Sequence, residues 1–517
     1  MAQFGFWKLA EEAPQHVALI TPEGRSITAG ELLGSVNQLV HGWRALGLTR
    51  GDTVAVVLPN CAALVEVCLA AQQAGIYYTP ISGALTAPEL AYIFENSEAK
   101  AIICDARFAE ACGKAADEAH IPPAARFSVG AITGFRDYQA LKDGQPATAP
   151  ADRSAGLIMN YTSGTTGRPK GVRRPLAPAT VPPEAIAESY ASFLLMFGIK
   201  PREGVHLVVS PLYHTAVMSF ALNHLHLGHT IVLMEKWTPE DMLALVEKYR
   251  VTNSHMVPTH FNRLLALSDE IKKKYDLSSL RHVIHSAAPC PVHVKHRMLD
   301  WWGPVIYEYY SASEGGGTMA TPTDWLAHPG TVGNPWPISQ IRILDEAGQP
   351  VAAGQVGTVY IHMGPHTFEY HKDKQKTESA WKEGFFTVGD AGYLNEAGFL
   401  FLVDRKADMI ISGGVNIYPA EIESALVAHP KVGDVAVFGI PDEDWGERVK
   451  AVIEPAEGIA PSEALAEELL AFCKERLAPY KIPRSIDFTS QLPRDPNGKL
   501  YKRKLRDPYW VGRERFI

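Results

Sequence analysis

The sequence has no uninterrupted apolar segment of the ~18 residues that a membrane-spanning helix needs. Residues 1–15 also lack the basic stretch followed by an apolar core that marks a secretory signal. The six cysteines form no CxxC pair and are too sparse for a disulfide-stapled fold. These absences predict a cytoplasmic protein with reduced thiols. Peripheral contact with a membrane stays open.

An excess of basic residues is missing as well. The chain carries 49 lysines and arginines against 57 aspartates and glutamates, a net charge of -8, which argues against a nucleic-acid surface. No repeat of 20 to 50 residues is present, which argues against a repeat architecture. The composition is that of an ordinary soluble protein, and 517 residues exceed one comfortable hydrophobic core, so two or more domains are expected.

Between about residue 50 and residue 310, short apolar runs alternate with helical patterns. This alternation predicts α/β layers with largely parallel sheets. Residues 338–403 differ, because their strands are separated by Gly and Asn/Asp turns, and they predict a β-rich subdomain. Strands are predicted at 53–60, 101–106, 251–258, 281–286 and 305–311, and helices at 61–75, 240–250 and 259–268.

A second break falls near residues 404 and 405. The part that follows has the pattern of a compact α+β domain, with helices at 420–430 and 462–477 and strands at 434–442 and 448–455. The sequence therefore predicts an α/β protein with a large N-terminal domain, 1–404, and a small C-terminal domain, 405–517.

The strongest local signal is the string YTSGTTGRPKG at residues 161–171. Its glycines let the backbone approach a ligand closely, and successive backbone N–H groups can then form an anion-binding nest. The hydroxyls add donors and Lys170 adds a charge. The spacing does not fit the Walker A loop of P-loop kinases and other P-loop nucleoside triphosphatases, and Pro169 disfavours the helix that such a loop opens. The structural alternative is a Gly/Ser/Thr-rich surface loop.

Further motifs follow in order along the chain. They are SPLYH (210–214), HSAAP (285–289), YYSASEGGG (309–317), TVGD (387–390), DRKADMI (404–410), SGGVNIYPAEIE (412–423) and PRDPNGK (493–499). Together with the glycine-rich string, this ordered set resembles the adenylate-forming superfamily of acyl-CoA synthetases, luciferases and peptide-synthetase adenylation domains, with fatty-acyl-CoA synthetases as the closest group. The resemblance covers nearly the whole chain.

The resemblance implies a role for each motif and names ATP, Mg²⁺ and coenzyme A as the small molecules bound besides the acid. By family analogy the phosphates are held by Thr162, Ser163, Gly164, Thr165, Thr166, Gly167 and Lys170. Adenine is bordered by Ser286, Ala287 and Ala288 and stacked by Tyr310, with Ser311 and Ser313 nearby; Asp390 meets the ribose, and Arg405 meets the ribose or a phosphate. Ser412, Gly413 and Gly414 border the pantetheine arm, Mg²⁺ is held by Glu314 with Thr162, and His214 and Lys499 complete the catalytic set.

Several positions depart from the family pattern. Ser286, Ser311 and Ser313 replace residues that are usually Gly, Gly and Thr. Ala407 stands where the family hinge has Lys or Asp, and Lys406 and Asp408 flank it. The Arg173-Arg174 pair is expected to be solvated, with a CoA phosphate contact as the alternative.

The predicted reaction is that of an acyl-CoA ligase, which forms an acyl-AMP from ATP and a carboxylic acid and passes the acyl group to CoA. The alternatives are an adenylating enzyme that loads a carrier protein and a catalytically silent nucleotide-binding protein. Oligomeric state stays open, a homodimer included. We expect a hydrophobic acid, fatty or bulky cyclic/aromatic, because the candidate pocket has little charge. That pocket is assigned Tyr213, Val217, Phe220, His224, His285, Tyr309 and the glycines 315–317, which either leave open volume or form a flexible loop.

Overall fold

The structure is a computed structural model that describes residues 4–162, 169–405, 408–413, 415–494 and 500–511. Among these residues, no helix is long and apolar enough to cross a membrane. The helices are α1 (Phe6–Glu12), α2 (Ala29–Ala45), α3 (Ala62–Ala74), α4 (Ala87–Asn96), α5 (Ala109–Glu118), α6 (Pro183–Leu195), α7 (Thr215–His226), α8 (Pro239–Tyr249), α9 (Pro258–Leu265), α10 (Asp269–Lys274), α11 (Val292–Trp302), α12 (Pro322–Ala327), α13 (Lys374–Ala380), α14 (Pro419–Val427), α15 (Glu463–Lys474) and α16 (Lys502–Arg506).

The strands confirm the predicted alternation of strand and helix, and the α/β fold class is confirmed with them. They are β1 (Val17–Ile20), β2 (Ser26–Thr28), β3 (Thr53–Val57), β4 (Tyr77–Pro80), β5 (Ala99–Asp105), β6 (Arg126–Val129), β7 (Arg136–Asp137), β8 (Leu157–Ile158), β9 (Asn160–Thr162), β10 (Lys170–Arg173), β11 (Val205–Val208), β12 (Thr230–Leu233), β13 (Asn253–Met256), β14 (His282–His285), β15 (Ile306–Ala312), β16 (Gly315–Ala320), β17 (Asn334–Pro335), β18 (Gln340–Leu344), β19 (Gly357–His362), β20 (Glu369–Tyr370), β21 (Trp381–Lys382), β22 (Phe385–Phe386), β23 (Asp390–Leu394), β24 (Leu400–Arg405), β25 (Ile410–Ser412), β26 (Val415–Ile417), β27 (Val432–Asp442), β28 (Gly446–Pro455) and β29 (Ser485–Phe488).

The chain divides into two compact units. The first comprises Met1–Met256, Ala266–Ile284 and Pro365–Ser379. It contains an all-parallel sheet in the order β7-β6-β5-β3-β4-β8 and a second sheet in which β13, β11, β12 and β1 run parallel. Parallel strands need crossover helices and are buried on both faces, which explains the apolar runs of β3 and β5.

The second unit comprises Val257–Leu265, His285–Gly364 and Ala380–Ile517. Its predicted β-rich part is confirmed as an antiparallel sheet in the order β21-β22-β19-β23-β24, with β18 beside β19. Near the C-terminus, the long hairpin β27–β28 packs with α14 and α15 around a core of aliphatic side chains such as Ile422 and Leu469. The domain boundary at residues 404 and 405 stays a prediction.

Candidate active site

The predicted phosphate loop is carried by a β-hairpin. Strands β9 and β10 pair antiparallel, with Thr162 opposite Lys170 and Asn160 opposite Val172. Antiparallel pairing brings the Cα atoms of facing residues to about 5 Å, so the two ends of the glycine-rich segment are held side by side. The predicted phosphate ligands between those ends lie outside the described residues; they are Ser163, Gly164, Thr165, Thr166 and Gly167.

Lys170 sits on a strand and already has a carboxylate neighbour. Its Nζ lies 3.6 Å from the Asp373 carboxylate and 5.6 Å from the centre of the Tyr370 ring. The Lys170 side chain is 13% exposed, whereas that of Asp373 is 40% exposed. A long ion pair with a solvated partner is worth little, so a phosphate can take over the ammonium at small cost.

Arg173 is not the solvated residue that the sequence predicted. Its guanidinium lies 4.6 Å from the centre of the Tyr77 ring, and Nη1 lies 3.3 Å from Nδ1 of His371. The Tyr77 hydroxyl donates a 2.7 Å hydrogen bond to the carbonyl of Arg174. The first arginine is therefore held by an aromatic face, because a guanidinium stacks well on a π system.

Three predicted nucleotide ligands meet directly in the second unit. The Tyr310 hydroxyl donates a 2.6 Å hydrogen bond to Oδ2 of Asp390, and Nε of Arg405 lies 3.3 Å from Oδ1 of the same carboxylate. Strands β23 and β24 position the carboxylate and the guanidinium, because Asp390 is paired with Arg405 across the two strands. Burial and the Asp390 charge raise the pKa of the Tyr310 phenol well above its usual range, so the phenol stays protonated and donates.

Replacing Tyr310 with phenylalanine should raise the KM for ATP about tenfold, the worth of one charge-assisted hydrogen bond, and change kcat less. The ring face is retained, but the Asp390 carboxylate loses one of the two groups that orient it. Steady-state kinetics at varied ATP measures the effect. Tyr393→Phe is the matched control, because Tyr393 lies on β23, the strand of Asp390, and its ring stacks on that of Phe401 with ring centres 5.0 Å apart. Equal KM values for the two variants would contradict the prediction.

Glu314 lies in the turn between β15 and β16 and is buried, with 6% of its surface exposed. Proteins usually hold Mg²⁺ through one or two carboxylates together with substrate phosphates and water, and a single buried Glu314 fits that donor set. Nearby, the Ser311 hydroxyl donates a 2.7 Å hydrogen bond to the Gly316 carbonyl. This bond gives the serine that replaces the family glycine a role in the turn.

The glycines 315–317 do not leave open volume, and they are not a flexible loop. They begin strand β16, and β15 pairs with this strand. A Cβ on Gly316 would lie 2.6 Å from Cγ2 of Ile361, and one on Gly317 would lie 2.1 Å from the Tyr310 carbonyl oxygen. Glycine is required at 316 and 317 because neighbouring groups fill the space that a side chain would need.

The predicted adenine segment follows β14. Ser286 is buried, whereas Ala287 is exposed and has a φ of +73°. That left-handed conformation disfavours a Cβ, so the surrounding turn must hold Ala287 in place. Burial raises the pKa of the neighbouring Tyr309 to about 12. Its phenol is therefore neutral, like the other groups expected in an apolar pocket.

Sequence reasoning missed a buried charge cluster in this region. Nζ of Lys295 lies 2.8 Å from Oε2 of Glu308, and Nε2 of His285 lies 3.4 Å from the same oxygen. The side chains of Lys295 and His285 are 0% exposed and that of Glu308 is 8% exposed. Burial opposes ionisation of Glu308, but Lys295 and His285 outweigh it and lower its pKa to about 2. The available signal was Glu308 as the one charge in the apolar string VIYEYY; Lys295 lies in the mixed string VHVKHRML, which gives no such signal.

Part of the predicted acyl pocket lies along α7. His214 is the N-cap of this helix, and its ring centre lies 4.2 Å from that of Tyr213. Val217, Phe220 and His224 recur at three- and four-residue spacing, so they share one face of the helix, and all three are buried. The structure therefore aligns three predicted pocket residues into a stripe that runs from His214 toward the end of α7.

The predicted pantetheine motif begins with Ser412 on β25. Gly413 has a φ of +58°, and its N–H donates a 2.8 Å hydrogen bond to the Trp445 carbonyl. A Cβ there would lie 2.4 Å from the Trp445 ring, so only glycine fits. Gly414 lies outside the described residues, as do Lys406 and Ala407 at the expected hinge and Lys499.

Two aspartates, Asp404 and Asp408, flank the expected hinge position in the sequence, and each has a partner in the C-terminal part of the chain. The Asp404 carboxylate accepts a 2.9 Å hydrogen bond from the Ala420 N–H at the start of α14. Nη1 of Arg506 lies 3.5 Å from Oδ1 of Asp408. Helix α16, which follows the Lys499 segment, is thus bonded to a residue next to the hinge.

Comparison with protein-family models gives two matches. The AMP-binding enzyme model matches residues 6–370, and the AMP-binding enzyme C-terminal domain model matches residues 421–499. The chain belongs to the AMP-binding enzyme family. The first match contains Lys170, Tyr310 and Glu314, and the second ends on Lys499.

Named proteins resemble this AMP-binding enzyme over nearly their full length. A feruloyl-CoA synthase from Amycolatopsis sp is 33% identical, with 95% of this chain and 96% of that protein covered. The fatty acid–[acyl-carrier-protein] ligase ScoC from Streptomyces coeruleorubidus is 30% identical, with 97% and 95% covered. The crystal structure of ATP-bound MatB from Rhodopseudomonas palustris is 29% identical, with a TM-score of 0.84 and 98% and 99% covered.

Proposed function

We propose that this AMP-binding enzyme is an AMP-forming acyl-CoA ligase that activates a hydrophobic carboxylic acid. The observation that carries the proposal is the Tyr310–Asp390–Arg405 contact. It gathers an aromatic face, a carboxylate for two ribose hydroxyls and a cation within hydrogen-bonding reach of one another. Similarity to a feruloyl-CoA synthase over nearly the whole chain supports CoA as the acceptor.

In the first half-reaction, a carboxylate oxygen of the acid attacks the α-phosphorus of ATP. The new P–O bond gives acyl-AMP, and the bond to the bridging oxygen breaks to release pyrophosphate. Both reactants are anions, so the enzyme must position them and offset their charge. We assign this work to the cations Lys170 and Lys499, and to Glu314 as a ligand of the metal ion. Bound Mg²⁺, held by Glu314 with Thr162, would neutralise phosphate charge.

In the second half-reaction, the CoA sulfur attacks the acyl carbon. A C–S bond forms, the bond from carbon to the phosphate oxygen breaks, AMP leaves, and the thiol proton passes to solvent. We propose that residues 1–404 bind ATP and the acid. We propose that residues 405–517 supply Lys499 for the first step and the Ser412–Gly413–Gly414 face for the second.

Replacing Lys499 with alanine should lower the rate of acyl-AMP formation by roughly 10²–10³-fold, as removal of one preorganised charge does. It should leave conversion of supplied acyl-AMP and CoA to thioester close to the wild-type rate. The measurement is AMP, pyrophosphate and acyl-CoA release with ATP, Mg²⁺, CoA and a panel of carboxylic acids.

The matched control is Lys504→Ala, since Lys504 is an exposed lysine on α16. If Lys499→Ala lowers the rates of both half-reactions equally, the lysine has no role specific to the first step. Turnover of only acetate-sized acids or amino acids would contradict the hydrophobic substrate class, because the buried stripe Val217, Phe220 and His224 contains no carboxylate to pair with an ammonium.

A carrier protein is the second candidate acceptor, favoured by the 30% identity to an acyl-carrier-protein ligase. Pyrophosphate release without CoA thioester, together with acylation of a purified carrier protein, would select it. For the place of action we propose the cytoplasm. All six cysteines are free thiols in the described structure, as a reducing compartment favours.

A further inference from the structure

A cluster of histidines lies at the far end of the α7 stripe. His206, His224 and His229 are each at most 1% exposed. The ring centres of His206 and His224 lie 4.2 Å apart with an interplanar angle of 18°, so the two imidazoles stack. Burial lowers the pKa of all three rings below the usual range, so each is neutral and carries one ring proton.

Hydrogen bonds fix the tautomers of two of these rings. Nε2 of His229 lies 2.8 Å from the carbonyl oxygen of Lys200, so Nε2 carries the proton and donates. Nδ1 of His229 is therefore a bare acceptor. Nδ1 of His224 lies 2.9 Å from it, so Nδ1 of His224 must carry the proton of that ring.

These two hydrogen bonds leave Nε2 of His224 with a lone pair and no proton. That atom is fully buried and has no hydrogen-bond partner among the described residues. Nδ1 of His206, on the ring stacked against it, is also buried without a partner in the described structure. Buried polar atoms are bonded in more than about nine cases of ten, and an acceptor left bare in an apolar site costs stability, so a bare acceptor here calls for a donor from outside the chain.

We propose that His224 recognises a hydroxyl group at the distal end of the acyl chain, so that the acid activated by this enzyme carries a hydrogen-bond donor far from its carboxylate. The inference rests on the proposed function and on the catalytic role that the family resemblance gives to His214, the N-cap of α7, which would put the reacting carboxylate near the start of that helix. Ten residues of helix separate His214 from His224, a rise of about 15 Å. An acid of that reach spans roughly a dozen carbon–carbon bonds of about 1.5 Å.

The buried Phe220 ring stands in the path that an acyl chain would take along this face of α7. It stacks on His255 with ring centres 4.8 Å apart and lies between Val217 and His224 on the same helix face. The acyl chain reaches His224 when this ring turns to another rotamer, a motion that buried side chains make within a packed core. Apolar contacts along the stripe then bind the chain, and His224 supplies the one polar contact at its end.

The test is competition between paired acids within one reaction. Saturated straight-chain acids of increasing length are each mixed with an equal amount of the ω-hydroxy acid of the same length, and the ratio of the two acyl-CoA products is measured. This ratio does not depend on the fraction of active enzyme. For wild type we expect a preference for the hydroxy acid of roughly ten- to hundredfold at one length, as a site that bonds a hydroxyl rejects the analogue without it.

Two variants distinguish loss of the Nε2 acceptor from general damage to the fold. In His224→Asn, the amide N–H₂ takes the place of Nδ1–H toward His229, and nothing reaches the position of Nε2, so the product ratio should fall to about one. In His224→Gln, the longer amide places a carbonyl oxygen near that position, and part of the preference should return. A ratio near one for wild type at every length, or an unchanged preference in His224→Asn, overturns the proposal. If wild type forms acyl-CoA from no acid, the ligase assignment fails and this inference falls with it.

Discussion

Replacing Lys295 with methionine is expected to lower the free energy of unfolding by about 3–5 kcal/mol, which is the cost of leaving one buried charge without its partner. Lys295 is completely buried, its Nζ lies 2.8 Å from Glu308, and it also sits 4.7 Å from the centre of the Trp325 ring. Without the ammonium, the Glu308 carboxylate keeps the His285 ring as its ion-pair neighbour within the described part of the chain. Urea unfolding followed by tryptophan fluorescence measures the change.

Removing both charges should restore most of the lost stability, because a buried ion pair is often no better than apolar side chains of the same volume. The double variant Lys295→Met with Glu308→Gln is therefore the decisive comparison. Lys114→Met is the matched surface control. It breaks the exposed 2.8 Å pair with Glu110 and should leave the free energy of unfolding nearly unchanged, because solvent screens an exposed pair. Similar losses for Lys295→Met and Lys114→Met would contradict the buried-charge argument.

Acid should destabilise this protein far above the pH at which its carboxylates are protonated. Burial lowers the pKa of His226 and His260 to about 3 and holds those of His206 and His224 well below the usual range. The unfolded chain binds more protons than the folded one below about pH 6.5, so stability is fully present above that pH and is lost as pH falls. Between pH 7 and 5.5 the loss is about 5 kcal/mol for these four rings together.

The measurement is the free energy of unfolding in urea as a function of pH. His226→Asn supplies the control. Nδ1 of His226 accepts a 3.1 Å hydrogen bond from the Phe6 N–H, and an asparagine carbonyl can accept the same bond without titrating. The slope of stability against pH should then decrease by about one proton, or about 1.4 kcal/mol per pH unit. A wild-type stability that is flat between pH 7 and 5.5 would refute the assignment of neutral buried rings.

The fold was predictable where periodicity is strong and local. The strand β3 lies within three residues of its predicted bounds, and the helix α3 lies within one residue of its own. Parallel pairing could be inferred because strands alternate with helices, although strand order could not. The order depends on which apolar faces pack together over long sequence separations, and no short-range pattern records that.

The candidate site was predictable as a set of residues but not as a set of contacts. Motif order identified Tyr310, Asp390 and Arg405, yet it gave no hint that the phenol donates directly to the carboxylate. Glycines 315–317 were misjudged because a missing side chain can signal either open space or a close neighbour, and only coordinates distinguish the two. Lys295 and Glu308 were missed because a charge in an apolar helix or strand is usually solvated.

The hairpin that presents Thr162 and Lys170 has a consequence for synthesis of the chain. Its inner strand β10 pairs on its other side with β20, so Val172 faces Tyr370 nearly two hundred residues later. At about 5–20 residues per second, a ribosome needs roughly 10–40 s to make the intervening chain. During that interval the strand edge beside Lys170 is unpaired and open to incorrect partners. The sheet that carries the predicted phosphate ligands Thr162 and Lys170 is therefore completed late on the ribosome, and β10 is a point where slow translation or chaperone binding would affect yield.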